Sequence, residues 1–283
     1  MTAPLHRGIG AAALTIGGLD PSGCYGLSAD IRTFLALGVH AASVVTILTA
    51  QNTAGLRSAK PVETDFIVAQ AEAVLDDLAI GSTKTGMLAT LDTVEAVARL
   101  HDRGRLPCLV VDPVLVDHSG NALFDHSVAD AYRRLLGPRA AVFTPNAHEA
   151  ALLLGRPITD PTSMAAAALA LGRESGTTVV VTSGSLHGFP ADDAWYDPQR
   201  DGVFWLTGQR ISTNNVAGSG DTFSAAISAA LAQGYSVNAA LSVAKGFVEA
   251  ALLGGAGWRL GAGSGPLDHF GWSTAASEAN SPT

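Results

Sequence analysis

Between Asn215 and Thr222 the chain reads Asn-Val-Ala-Gly-Ser-Gly-Asp-Thr, small residues and a carboxylate set directly before an apolar helical period. Phe223, Ala226, Ile227, Ala230 and Leu231 fall at i, i+3, i+4, i+7 and i+8, one face of a helix closing near Gly234. The turn therefore sits at a helix N-terminus, where free backbone N–H groups and the macrodipole stabilise an oxyanion or a phosphate. Gly218 and Gly220, on either side of Ser219, let a bulky anion approach the backbone. A carboxylate here would repel a phosphate, so the natural role of Asp221 is to take the proton from a hydroxyl that attacks it. The alternative is a first-turn acid that only complements the helix dipole.

Two further carboxylates are placed for phosphate chemistry. Asp112-Pro113-Val114 closes a strand, and Thr144-Pro145-Asn146-Ala147-His148-Glu149 opens a helix. Asn146 and Glu149 are three apart on one helix face, so with Asp112 they could hold Mg²⁺, usually through water, against nucleotide phosphates. The same Asn-x-x-Glu spacing is also a variant capping box, which is a purely structural account. His148 reads as a surface or supporting histidine rather than a ligand.

Lys84-Thr85-Gly86-Met87 and Gln51-Asn52-Thr53 both follow apolar segments. They are candidates to face a substrate heterocycle, or else ordinary loop residues. The Gln amide offers a donor and an acceptor, which suits an aminopyrimidine edge. The glycine-rich stretch 254–265 lacks a preceding strand and a fitting G-x-G-x-x-G, and no G-x-x-x-x-G-K-[ST] occurs, so neither dinucleotide binding nor a standard P-loop is expected.

The elements that must position these residues alternate between strand-like and helix-like runs, the pattern of a mostly parallel sheet covered on both faces. Strands are expected at 14–16, 43–48, 108–111, 141–143 and 178–181, with short edge strands within 53–61 and a late antiparallel strand at 203–205. Helices are expected at 27–37, 65–78, 222–233 and 237–253. Polar groups follow the apolar runs repeatedly: Asp20, Gln51-Asn52, Asp112, Asn146 and Glu149, Thr182-Ser183-Gly184. In open α/β sheets ligands bind beyond the carboxyl ends of the strands, so these groups should converge on one rim.

With 47% hydrophobic and 15% charged residues over 283 positions, the composition is that of a compact soluble protein with ample core. A net charge of −8 without a basic face argues against nucleic acid or an anionic membrane as partner. Cys24 and Cys108 lie far apart without metal-ligand spacing, which fits a reducing cytosol. The run from Ala11 to Ile16 could pass for a signal-peptide core, but Asp20 and Pro21 interrupt it and favour a buried first strand. No stretch reads as long enough to span a bilayer. Residues 1–272 read as one domain without a linker, and 273–283 as a polar, disordered tail.

Together these segments resemble the ribokinase superfamily, and within it the hydroxymethylpyrimidine and phosphomethylpyrimidine kinases of thiamine biosynthesis. The resemblance runs from about Ala13 to Trp272. Its most specific pieces are Asp20-Pro21-Ser22-Gly23 with Gly26 and Ala29-Asp30, Ala50-Gln51-Asn52-Thr53, Lys84-Thr85-Gly86-Met87, Asp112-Pro113-Val114, Thr144-Pro145-Asn146 with Glu149-Ala150, Gly218-Ser219-Gly220-Asp221, and the ending Gly265-Pro266-Leu267-Asp268-His269-Phe270. It implies a three-layer α/β/α fold and an ATP- and Mg²⁺-dependent, cytoplasmic small-molecule kinase, often dimeric. It also implies phosphate transfer to a hydroxymethyl group, commonly followed by a second transfer to the monophosphate. Asp221 would be the base, and the N–H groups of Gly218, Ser219 and Gly220 the anion hole. Gly18, Asp20, Tyr25, Asp30, Gln51 and Met87 would line the substrate pocket. Asn146, Thr182, Ser183 and Gly184 would face the nucleotide, and Asp112 and Glu149 the metal.

The chain departs from that pattern at several positions. Many relatives carry a cysteine where Asp221 stands. Ser183-Gly184-Ser185-Leu186 replaces a Lys-Gly-Gly-His segment, and its Thr182-Ser183 pair is closer to pyridoxal kinases. Tyr25 replaces a small residue, and His118 stands where a lysine is common. The readings kept open are therefore a pyridoxal or pyridoxine kinase and, from another class, a catalytically weak ligand-binding or regulatory protein derived from such kinases. A Rossmann oxidoreductase is disfavoured by its missing fingerprint.

Overall fold

The structure, a computed structural model, describes residues 10–271 apart from 118, 119, 185 and 187. The expectations for His118 and for the tail from 273 onward lie outside the described residues. Strands β1 (Ala12–Leu19), β2 (His40–Asn52), β3 (Gly55–Pro61), β4 (Ser82–Thr85), β5 (Leu109–Val111), β6 (Val142–Phe143), β7 (Thr178–Val181), β8 (Asp193–Asp197) and β9 (Gly202–Leu206) form one sheet, in the order β3-β2-β1-β4-β5-β6-β7-β8-β9. From β2 to β7 every pairing is parallel, and the antiparallel strands β3, β8 and β9 finish the two sides. The helices are α1 (Gly26–Ala36), α2 (Thr64–Leu75), α3 (Leu91–Asp102), α4 (His126–Ala131), α5 (Ala147–Leu154), α6 (Pro161–Ser175), α7 (Ser219–Ala232) and α8 (Val237–Gly255).

Strand alternation assigns the layers. Leu109, Val111, Phe143, Val179 and Val181 pack with α2 through α6, whereas Val110, Val142 and Val180 pack with α7 and α8. On that second face Ala13 joins Phe34 of α1 and Ala225 and Ala229 of α7. The result is the three-layer α/β/α arrangement, with strands apolar on both faces as a covered parallel sheet requires.

β4 and β8 are not among the expected strands. β4 reads Ser-Thr-Lys-Thr and carries no apolar residue, yet all four side chains are buried at the centre of the sheet between β1 and β5. A strand of this kind is invisible to a rule that looks for apolar runs. β2 continues to Asn52, so Gln51 and Asn52 are paired with Leu56 and Gly55 of β3 rather than following the strand. The 11–16 run does form a buried strand, with β1 lying between β2 and β4. One expectation is corrected: α8, 19 residues with mean hydropathy 1.3, is long and apolar enough to cross a membrane. Its Ala240, Leu241 and Ala244 pack with α7 in the core on that face of the sheet, and its Lys245 is spent on Asp193.

Candidate active site

Parallel strands put the carboxyl ends of β1, β4, β5, β6 and β7 on one edge, and the candidate residues gather there. The centre of the cluster is Lys84 on β4. Its ammonium donates to both oxygens of Asp30 on α1 at 2.8 and 2.9 Å and to Asp221 Oδ1 on α7 at 3.2 Å. Asp112 Oδ2, just beyond β5, is 3.7 Å away and accepts the Ser224 hydroxyl at 2.7 Å. Burial pushes Lys84 toward neutrality, and the surrounding carboxylates, Asp30 foremost, overturn this and raise its pKa above the ordinary lysine value. Burial first, against the pull of Lys84, and then repulsion from Asp221 raise Asp30 to about 7. Asp112 rises to about 6, again through burial first.

Asp30, expected to line the substrate pocket, is buried at this cluster, with Thr15 donating to Oδ2 at 2.6 Å beside the Lys84 contacts. The carboxylate of Asp20, also expected at the pocket, accepts from Ser22 N, Ser22 Oγ, Cys24 N and Tyr25 N at 2.6–3.0 Å, which builds the 20–25 loop. Tyr25 stands half-buried on that loop, its hydroxyl pKa raised by burial first and then by nearby acids.

The turn before α7 is a helix N-terminus without a side-chain cap. Ser219 N–H is not available to an anion, because it donates to Val216 O at 3.1 Å. Among the described residues the N–H groups of Gly218, Gly220 and Asp221 have no such acceptor, so the open donors differ by one residue from those expected. The two glycines also serve different ends. Gly218 has φ +78, and a Cβ there would lie 2.1 Å from Cys24 O, so this glycine seats the turn against the 20–25 loop. At Gly220 a Cβ would meet nothing within 4 Å, and this is the open approach to the backbone.

Gly18 and Met87 lie side by side at the ends of β1 and β4: a Cβ on Gly18 would lie 3.8 Å from Met87 Cβ and 3.0 Å from Ile47 Cγ2. The backbone around Met87 is fixed by Tyr132, whose buried hydroxyl donates to Gly86 O at 2.6 Å and accepts from Leu88 N at 3.0 Å. Gln51 is half-buried at the end of β2, just past a register shift.

On the opposite side Asn146 and Glu149 form a reciprocal capping box: Asn146 Oδ1 accepts from Glu149 N at 3.0 Å, and Glu149 Oε2 accepts from Asn146 N at 2.9 Å. Glu149 Oε1 accepts from Leu115 N at 3.2 Å. Both oxygens are thus engaged, and no group of three or more His, Cys, Asp or Glu is arranged to hold a metal among the described residues. The expectation for Asp112 and Glu149 is contact with Mg²⁺ usually through water, and Glu149 carries this capping box as well. Burial first, then repulsion from Asp112, raises Glu149 to about 8. Ser183, expected on the nucleotide side, donates its N–H and hydroxyl to Asp193 Oδ1 at 2.8 and 3.3 Å. Thr182 is half-buried and bridges to Asn146, and Gly184 is exposed.

The model of the family described as phosphomethylpyrimidine kinase matches residues 20–268. The chain belongs to that family. It is 42% identical over 262 residues to the hydroxymethylpyrimidine/phosphomethylpyrimidine kinase of Rhizobium meliloti, covering 92% of this chain and 97% of the relative. The same-named enzyme of Salmonella typhimurium is 38% identical over 262 residues, with 91% and 97% covered. Among solved structures, an ADP complex of Bacillus subtilis pyridoxal kinase superposes with a TM-score of 0.86 at 34% identity over 93% of this chain and 98% of that one. Phosphomethylpyrimidine kinase from Clostridium difficile gives 0.72 at 30% identity, over 84% and 97%. The chain is an ATP-dependent small-molecule kinase of ribokinase-like fold.

Sequence reasoning missed three residues of this kinase's site: Lys84 as the hub, Ser224 as the partner of Asp112, and Tyr132 as the brace of the 86–88 segment. Lys84 carried a signal, since it opens the Lys84-Thr85-Gly86-Met87 motif, but only the tertiary fold brings Asp30, Asp112 and Asp221 to it. Tyr132 carried none. The box at α5 makes a separate prediction. Glu149→Gln replaces an acceptor oxygen with an amide donor facing a backbone N–H, so thermal unfolding should show a loss of about 1–3 kcal/mol. Unchanged stability with a raised Mg²⁺ requirement would instead make Glu149 a metal residue before a structural one.

Proposed function

We propose that the kinase transfers the γ-phosphate of ATP to the hydroxymethyl group of hydroxymethylpyrimidine, and then a second phosphate to the resulting monophosphate. The observation that carries the reading is the Asp221 carboxylate standing in the first turn of α7, beside N–H groups left without acceptors. In this reading Asp221 takes the hydroxyl proton while the new O–P bond forms and the bond from Pγ to the ADP oxygen breaks, and the open N–H groups of the turn receive the charge of the transferring phosphoryl group. The names of the Rhizobium and Salmonella relatives, and the ADP in the Bacillus neighbour, support substrate and nucleotide respectively. Mg²⁺, when bound with the nucleotide, would neutralise phosphate charge. Asp112 and Glu149 fit it through water, because they are two buried carboxyl groups that repel each other and whose inner contacts are already made.

A second reading, pyridoxal phosphorylation, is favoured by the superposition on Bacillus pyridoxal kinase and by Ser183 in place of a lysine. The substrate ring separates the two. An aminopyrimidine satisfies both ends of the Gln51 amide, whereas pyridoxal has no ring amino group and leaves part of it unpaired, at a cost of about 1–3 kcal/mol. ADP release measured for hydroxymethylpyrimidine, its monophosphate, pyridoxal and pyridoxine should show kcat/KM at least about tenfold higher for hydroxymethylpyrimidine than for pyridoxal, and Gln51→Leu should narrow that gap. A preference for pyridoxal or pyridoxine would overturn the assignment. No turnover with any of the four would leave a ligand-binding protein.

A further inference from the structure

Three helices of this kinase offer the same choice to the residue three places after the N-cap. In α5 that residue is Glu149 and in α6 it is Ser163, and each bonds back to its own N-cap N–H. In α7 it is Asp221, an acid of suitable kind, and no such bond is made. Its carboxylate is turned instead toward Lys84 at 3.2 Å. A carboxylate free to relax would be drawn to the positive end of its own helix, where it would fill the N–H groups that a phosphate has to reach.

The contacts of Lys84 are suited to preventing that. Its side chain has no exposed surface, and lysine is almost never fully buried unless paired. An ammonium has three N–H bonds, and here two go to Asp30 and one to Asp221. Asp112, at 3.7 Å, is beyond hydrogen-bond reach and takes Ser224 instead. Asp30 is held in turn by Thr15 of β1. Lys84 itself rides on β4, paired on both sides by β1 and β5, so the tether starts from the most constrained part of the sheet.

We propose that Lys84 is a positioning residue for phosphoryl transfer: its ammonium, anchored by Asp30, holds the Asp221 carboxylate away from the N–H groups of α7 and toward the acceptor hydroxyl. The inference rests on Asp221 being the base. Lys84 touches no reacting atom in this scheme, and its effect passes through Asp221.

A double-mutant cycle on the full chain tests it. Lys84→Met should lower kcat by about 10²-fold, the scale of a misplaced catalytic group, with KM for the acceptor within about threefold. In an Asp221→Ala background the same substitution should change kcat by less than about threefold, because the group it positions is gone. An equal loss in both backgrounds, or a Lys84→Met enzyme with wild-type kcat beside a disabled Asp221→Ala, overturns the inference alone. An Asp221→Ala enzyme that retains turnover overturns it together with the base assignment. Removing Lys84 strands a buried carboxylate, so if the single variant does not fold, Lys84→Met/Asp30→Asn removes both partners and the same cycle is run on that pair. A purely structural Lys84 would lower the thermal midpoint and scale activity alike with and without Asp221.

Discussion

Asp221→Asn is expected to lower kcat by about 10²–10⁴-fold and to leave ATP affinity nearly unchanged. Asparagine keeps the size of the side chain and an oxygen for Lys84, 3.2 Å from Oδ1, so the local packing has little reason to change. What it loses is the ability to accept a proton from the attacking hydroxyl. The N–H groups of Gly218, Gly220 and Asp221 stay open, so on the proposed reading phosphate binding should be spared. Steady-state kinetics beside a nucleotide-binding titration separates the two effects. Turnover within about threefold of the wild type would remove Asp221 as the base.

The two glycines of the turn should fail in opposite ways. Gly218→Ala puts a methyl group 2.1 Å from Cys24 O on a residue with φ +78, so the turn must leave the 20–25 loop or distort it. Strained backbone of this kind costs on the order of 1–3 kcal/mol, and the thermal midpoint should fall together with activity. At Gly220 an added Cβ meets nothing within 4 Å in the protein itself, so Gly220→Val should hold its stability. Phosphate transfer should nevertheless fall by about 10²-fold, the scale of a lost oxyanion donor, because the side chain occupies the space where the anion approaches. If the folded Gly220→Val enzyme turns over normally, the phosphate is bound elsewhere.

Much of this site is legible in the sequence because helix termini write themselves into it. The small-residue turn before Asp221 and the Asn-x-x-Glu spacing at α5 both mark real N-termini, and alternation between strand-like and helix-like runs marks the layers and most of the sheet. What sequence does not supply is the direction in which a polar side chain points. Asp20 and Asp30 sit where the resemblance puts pocket residues, and only the fold shows that one also receives loop N–H groups and the other a buried lysine. Ser183 belongs to the rim but is bound to Asp193, from a strand hidden in the sequence because acids flank its Ala-Trp-Tyr core. β4 is hidden for a related reason: its lysine answers to charges contributed by α1, by the residue after β5 and by α7, a partnership that no local pattern encodes.

The contact between Gly218 and the 20–25 loop is made by the carbonyl of Cys24, a main-chain atom. The neighbouring side chain at Tyr25 takes no part in it, and the loop is held in shape by its backbone N–H groups on Asp20. The Tyr25 side chain reaches the turn by another route, through Ser264, whose hydroxyl accepts from Val216 N at 3.3 Å. The close approach itself depends on main-chain geometry at Cys24 and on the missing side chain at Gly218, not on which side chain stands at position 25.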